Sequence, residues 1–291
     1  MEPAERSVSN ISIGICAYNE ESNIGQLLSN LLTQRFPSNL NLGEIVVVSS
    51  GSTDRTDFIV ENFRKRNNKI LLIKEEERRG KASALNKIFD VAKGGLLFII
   101  SADLIPSKDS IVIMAESIKD DVGVAISRTV ALNPEGNIVD FFSNFMWKLH
   151  DRFLLKESSR GALYHLGGDM FVIRRALIEK IPEGIINDDA YLGIALKNKG
   201  WCISFIPNAY GFIMGPRTVR DYLNQRERII IGHKQIESIA GSTPSTLGAI
   251  LFKNPFYAFS IFLKEINLSR IAAFLMLLGS IVLELFARIK V

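Results

Sequence analysis

Five short apolar runs in the first 130 residues limit what this chain can fold into. They are "ISIGIC" (11–16), "EIVVVS" (44–49), "KILLI" (69–73), "LLFII" (96–100) and "VGVAI" (122–126). Each is rich in β-branched residues and continuous rather than alternating, as a strand covered on both faces of a parallel sheet requires. Between them, Ile24, Leu27, Leu28, Leu31 and Leu32 recur at helical spacing, and so do Leu85, Ile88, Phe89 and Ala92. Strand and helix in alternation imply right-handed crossovers. The expected class is α/β, a doubly wound, Rossmann-like, mostly parallel sheet.

After residue 130 the rhythm changes. "DFFSNFMWKLHDRFLL" (140–155) reads as an aromatic-rich helix covering either core or an acceptor groove. "INDDAYLGIALKNKGW" opens a helix on two carboxylates, and "TVRDYLNQRERIIIGHKQI" (218–236) reads as a basic amphipathic helix. From 247 onward charges are sparse, and 271–283 has none. That stretch is shorter than the roughly 20 residues of a spanning helix. The expected division is a folded domain over 1–240 and C-terminal hydrophobic helices over 241–291. This segment would associate with a membrane, by spanning it or by lying in its interface.

A net charge of +4, with basic residues spread along the chain, fits an anionic small ligand or an anionic membrane surface. A nucleic-acid footprint would need clustering. Cys16 and Cys202 sit in apolar runs and are expected as buried small hydrophobes, unbridged. His150, His165 and His233 lack zinc-ligand spacing. "MEPAERSVSN" has no signal-peptide pattern, so the expected location is the cytoplasmic face of the cell membrane.

The chemistry gathers where the strand runs stop. The fourth run ends on Ser101, Ala102 and Asp103, so a buried strand finishes by presenting a carboxylate. Asp103 is either a turn residue or a metal ligand at the carboxyl edge, where open α/β sheets place ligands. "CAYNEE" follows the first run and "SSGSTDRT" the second. "RRGKASALN" puts Lys81 at a helix start, where the dipole repels a cation; either an anionic ligand accounts for it or the side chain is simply solvated. Asp188 and Asp189 open a later helix. One acid suffices for capping; the second is a candidate general base.

Taken in order, "CAYNEE", "SSGSTD", "RRGKASALN", "SAD", "GGDMFVIRR", "NDDAYLG" and "QRERI" resemble the family 2 glycosyltransferases of GT-A fold, over residues 11–232. The resemblance implies a metal-dependent, inverting enzyme. It would move a sugar from a nucleotide diphospho-sugar to a hydroxyl on a lipid or glycan acceptor, lipid-linked or membrane-proximal. By the same resemblance, Ala17, Tyr18, Asn19, Glu20 and Ser50 hold the base and ribose, and Lys81 touches the donor. Ser101, Ala102 and Asp103 match an Asp-x-Asp motif, with Asp103 binding Mn2+ or Mg2+ together with the diphosphate. Asp188 and Asp189 match a Glu-Asp motif with Asp189 as base, and Gly167, Gly168 and Asp169 shape the acceptor site.

Gln225 and Arg228 match the Gln-x-x-Arg-Trp motif of membrane-embedded members, lining the acceptor mouth and the leaving diphosphate. Ile229 replaces the Trp, which removes a platform for a sugar and counts against polymer synthesis. Ser101 replaces the first Asp of its motif, and Ser49-Ser50 replaces an acidic pair. Two rivals remain: a nucleotidyltransferase, which the acidic "CAYNEE" disfavours, and a non-catalytic nucleotide-binding or membrane-complex scaffold protein of the same fold.

Overall fold

The computed structural model describes residues 9–134, 138–167 and 169–240, with Gly279 alone beyond them. The strands are β1 (Ser9–Ala17), β2 (Leu40–Ser50), β3 (Ile70–Glu75), β4 (Leu96–Ser101), β5 (Ile105–Pro106), β6 (Val122–Ala131), β7 (Met170–Arg174) and β8 (Cys202–Ile213). The helices are α1 (Ile24–Leu32), α2 (Thr56–Arg66), α3 (Lys81–Val91), α4 (Ser110–Ser117), α5 (Ile138–Ser159), α6 (Asp188–Asn198) and α7 (Val219–Ala240). All strands join one sheet in the order β3-β2-β1-β4-β7-β6-β8-β5.

The first four strands are parallel, and β1 lies between β2 and β4. The chain reverses at β7, which pairs antiparallel with both β4 and β6. β6 and β8 are parallel again, with register shifts that include one between Ser127 and Arg128. The mostly parallel α/β sheet expected from the apolar runs is therefore present, with antiparallel pairing at β7 and β5.

The period-two geometry of a strand explains the two cores. Val46, Val48, Leu97 and Ile99 pack on α3, α5 and α6. Their neighbours Ile45, Val47, Phe98 and Ile100 pack on α1, α2 and α4 on the other face. Both faces are covered, so these strands carry no polar alternation. Ile24, Leu27, Leu28 and Leu31 of α1 are fully buried. Leu28→Ala would cost about 2–5 kcal/mol, the range for an aliphatic side chain removed from a packed core.

Cys16 and Cys202 are free, as expected, but only half-buried. The Cys202 thiol donates to Asp121 at 2.9 Å, while burial pushes the Cys16 thiol up to about 12. Among the described residues no helix is long and apolar enough to cross a membrane. The hydrophobic segment expected over 241–291 lies outside the described residues, and so does Gly168.

Candidate active site

The carboxyl ends of β1, β2, β3 and β4 share one edge, and the loops that leave them are stitched together. Asn19 adopts a left-handed backbone, φ 55°. Its N–H donates to Ser52 Oγ at 3.1 Å, and its Oδ1 accepts from the Thr53 N–H at 2.8 Å. The Glu20 N–H donates to Thr56 Oγ1 at 2.7 Å, and the Glu21 N–H to Asp54 Oδ2 at 3.0 Å. The polar residues of the first two turns thus hold each other.

Gly51 has φ +69°, and a Cβ there would lie 2.5 Å from the Arg78 nitrogen. Only glycine permits this approach of the loop leaving β3. Ser50 is buried and its Oγ accepts from the Arg79 N–H at 3.1 Å. Arg78 in turn stands over the Tyr18 ring, 4.0 Å from its centroid. Ala17 and Ala102 are buried, whereas Tyr18 is exposed.

A second set of ties joins α3 to the segment preceding α6. Asn86 forms a two-way bond with the Ile181 backbone, 2.8 Å in each direction. Arg79 reaches Glu183 at 3.2 Å, and Lys81 Nζ lies 3.3 Å from Asp188 Oδ2. Sequence reasoning leaves Lys81 without a local anion; Asp188, 107 positions later, supplies one. Burial acts against the Lys81 charge, but Asp188, Asp189 and Asp169 outweigh it and hold its pKa above the ordinary lysine value.

Asp189 follows on the same helix start, less buried than Asp188, with Oδ2 4.0 Å from His165 Nδ1. His165 Nδ1 already accepts from the Gly167 N–H at 3.0 Å, so this approach is electrostatic rather than a hydrogen bond. Burial lowers the His165 pKa, with Asp189 opposing, and the ring lies against His150 and Phe153. Gly193 of α6 packs directly on the Tyr164 carbonyl, where a Cβ would collide. Asp189 and His165 are thereby held as neighbours.

Asp169 completes the edge. Its backbone carbonyl accepts from the Ser101 N–H at 2.8 Å, and its Oδ2 accepts from Thr129 Oγ1 at 3.1 Å. Burial, and then Asp103, push the Asp169 carboxyl up to about 7. Burial also raises the Glu20 pKa, with Asp103 adding to it. Asp103 itself is exposed at the end of β4.

Among the described residues no three His, Cys, Asp or Glu side chains gather closely enough to hold a metal alone. One exposed carboxylate in a repulsive acidic field fits another arrangement, a divalent cation carried largely by phosphate oxygens.

Gln225 and Arg228 are exposed on α7. The helix reaches the site through other groups. The Ile229 carbonyl accepts from Asn187 Nδ2 at 3.1 Å, and Gln235 bonds Ile186 and Gly184. Gly232 lies where any Cβ would strike the Asn187 side chain. α7 therefore positions the residues immediately before Asp188. No local sequence pattern marks Asn86, Asn187 and Gln235, because their partners are distant in the chain.

Residues 12–182 match the family model described as glycosyl transferase family 2. A probable glycosyltransferase, YdaM from Bacillus subtilis, is 27% identical over 79% of this chain and 57% of its own length. The poly-beta-1,6-N-acetyl-D-glucosamine synthase of Staphylococcus aureus is 23% identical over 78% of this chain and 55% of its own. The chain thus spans little more than half of these relatives.

Among solved structures, the mannosyltransferase PcManGT from Pyrobaculum calidifontis, in complex with GDP-Man and Mn2+, superposes with a TM-score of 0.65. It is 23% identical, with 94% of this chain and 80% of that one covered. S. aureus TarS in complex with UDP-GlcNAc gives 0.54 at 20% identity, covering 77% of this chain and 66% of that one. The fold is that of GT-A glycosyltransferases. With the family model matched across the sheet, from β1 to the segment before α6, the chain belongs to glycosyl transferase family 2.

Proposed function

We propose that the chain transfers a sugar, with inversion, from a nucleotide diphospho-sugar to an acceptor hydroxyl. The observation that carries this reading is the meeting of Asp103, Asp169, Asp189 and the Lys81–Asp188 pair at one sheet edge. Asp189, less buried than Asp188, is the general base and takes the acceptor proton as the oxygen attacks the anomeric carbon. Lys81 provides fixed positive charge beside the departing diphosphate. Asp103 would hold Mn2+ or Mg2+, and the ion would supply Lewis-acid stabilisation of the leaving group.

Asn19, Glu20, Tyr18 and the loop around Ser50 form the nucleoside side. The buried Ser50, Ala17 and Ala102 act through backbone and loop shape. The solved neighbours supply the donor candidates, since PcManGT holds GDP-Man and TarS holds UDP-GlcNAc. A lipid or glycan acceptor at the cytoplasmic face of a membrane, reached through the apolar 241–291 segment, completes the proposal. The test is release of UDP or GDP from a panel of nucleotide sugars, with Mn2+ or Mg2+ against EDTA. Metal-dependent release from one donor supports the reading. A chain that binds nucleotide but never turns it over with any acceptor is a binding protein instead.

A further inference from the structure

Three basic side chains meet in a cleft that the donor chemistry does not use. The cleft, of about 500 Å3, lies between β6, the Tyr210 position of β8 and one face of α5. Lys148 and Arg152 stand four residues apart on that face, as Trp147 and Asp151 do, so all four line the same wall. Beyond the register shift after Ser127, Arg128 pairs with Tyr210 on β8 and its guanidinium stands over that ring at 5.6 Å. Arg128 binds Asp151 at 2.7 Å. Among the described lining residues three basic side chains, Arg128, Lys148 and Arg152, stand with one carboxylate, Asp151, and Lys148 and Arg152 are exposed.

The inner end of this cleft is the acceptor edge. Thr129, Trp147 and Asp151 line it and also line a smaller cavity that reaches Gly167 and Asp169. Asp103, Asp169 and Asp189 repel an anion arriving without a metal, whereas the α5 wall attracts one. Phosphate oxygens can engage an ammonium and a guanidinium together, and the guanidinium suits them in particular. We propose that the cleft binds a phosphate group carried by the acceptor, next to the hydroxyl that receives the sugar. The inference rests on the glycosyltransferase reading and narrows its acceptor to phosphate-bearing molecules.

The test uses the full chain and calorimetric titration with glycerol phosphate and with glycerol. Sedimentation with phosphatidylglycerol vesicles and with phosphatidylcholine vesicles forms the second arm. UDP and GDP with Mn2+ are titrated into the same samples. Glycerol phosphate or phosphatidylglycerol should bind, and the K148E/R152E variant should weaken that binding about tenfold or more while leaving nucleotide binding intact. Binding of glycerol phosphate assigns a soluble phosphate acceptor; binding of the anionic vesicles alone assigns a lipid headgroup.

Should the charge reversal unfold the chain, the K148Q/R152Q pair reads the same loss. Absence of binding to both probes, or binding that the variants leave undiminished, overturns the proposal. Phosphate binding that persists without any nucleotide binding overturns the glycosyltransferase reading and leaves the cleft assignment standing.

Discussion

Lys81 Nζ lies 3.3 Å from Asp188 Oδ2 and thereby fastens the first turn of α3 to the first turn of α6. One helix follows β3; the other begins with the acid pair. The pair stands beside Asn86–Ile181 and Arg79–Glu183, so three contacts cross the same seam. The relation has a consequence for stability. Asp188 is 5% exposed and Lys81 36%, so solvent screens one side of the pair. A coupling of about 1 kcal/mol is expected, below the 3–5 kcal/mol cost of breaking a fully buried pair. A double-mutant cycle of Lys81→Met and Asp188→Asn, read by denaturant unfolding, measures it; additive single effects would remove the tie.

Asp189 gives a sharper outcome. Asp189→Asn keeps the helix start and its contacts but cannot accept a proton. Sugar transfer should fall about 100-fold or more while nucleotide affinity stays within a factor of about two. Steady-state kinetics beside nucleotide titration separate the two. A variant with full turnover would show that the base is another group.

The glycine between the first loops makes a third case. Gly51→Ala must fit a Cβ 2.5 Å from the Arg78 nitrogen while holding φ at +69°. The left-handed backbone alone costs a side chain about 1–2 kcal/mol. We expect that loss in unfolding experiments and a raised KM for the donor, since the loop carrying Arg78 must move away from Tyr18. An unchanged KM would separate that loop from donor binding.

Two histidines, His165 buried and His150 half-buried, set the acid side of the stability profile. Burial, with His165 and Arg226 adding to it, lowers the His150 pKa to about 3, and burial lowers that of His165 as well. The unfolded chain therefore binds protons below about pH 6.5 that the folded chain does not. This stability is fully present above pH 6.5 and is lost as the pH falls from there toward 3. His150→Phe should flatten the decline by about 1 kcal/mol per pH unit between pH 6 and 5. Thermal unfolding across that range checks it, and parallel slopes for the two proteins would contradict it.

The first four strands are legible in the sequence because a parallel strand covered on both faces writes itself as a continuous apolar run, as 96–100 does. β7 is hidden within "GGDMFVIRR", where five strand residues follow a glycine turn and pass for part of a motif. β8 is obscured by Pro207 and Asn208, which interrupt the apolar pattern where the ladder with β6 skips register.

Individual acids are legible at strand and helix ends, where Asp103, Asp188 and Asp189 stand out. Their partners are not. Lys81 meets Asp188, Asn86 meets Ile181, and Arg128 joins Lys148 and Arg152 only after the sheet forms. Such contacts depend on topology and leave no spacing to read. Gln225 and Arg228 matched a motif, yet on α7 it is Gln235, Gly232 and the Ile229 carbonyl that brace the approach to Asp188.

The most direct measurement is calorimetric titration of UDP and GDP, with and without Mn2+, into the wild-type chain and Asp103→Ala. One nucleotide should bind in the presence of the metal, with that binding lost or reduced at least about tenfold in Asp103→Ala, because Asp103 would be the protein carboxylate that holds the ion. Binding that ignores both the metal and the substitution would contradict it, and would leave Asp103 as the turn residue that ends β4.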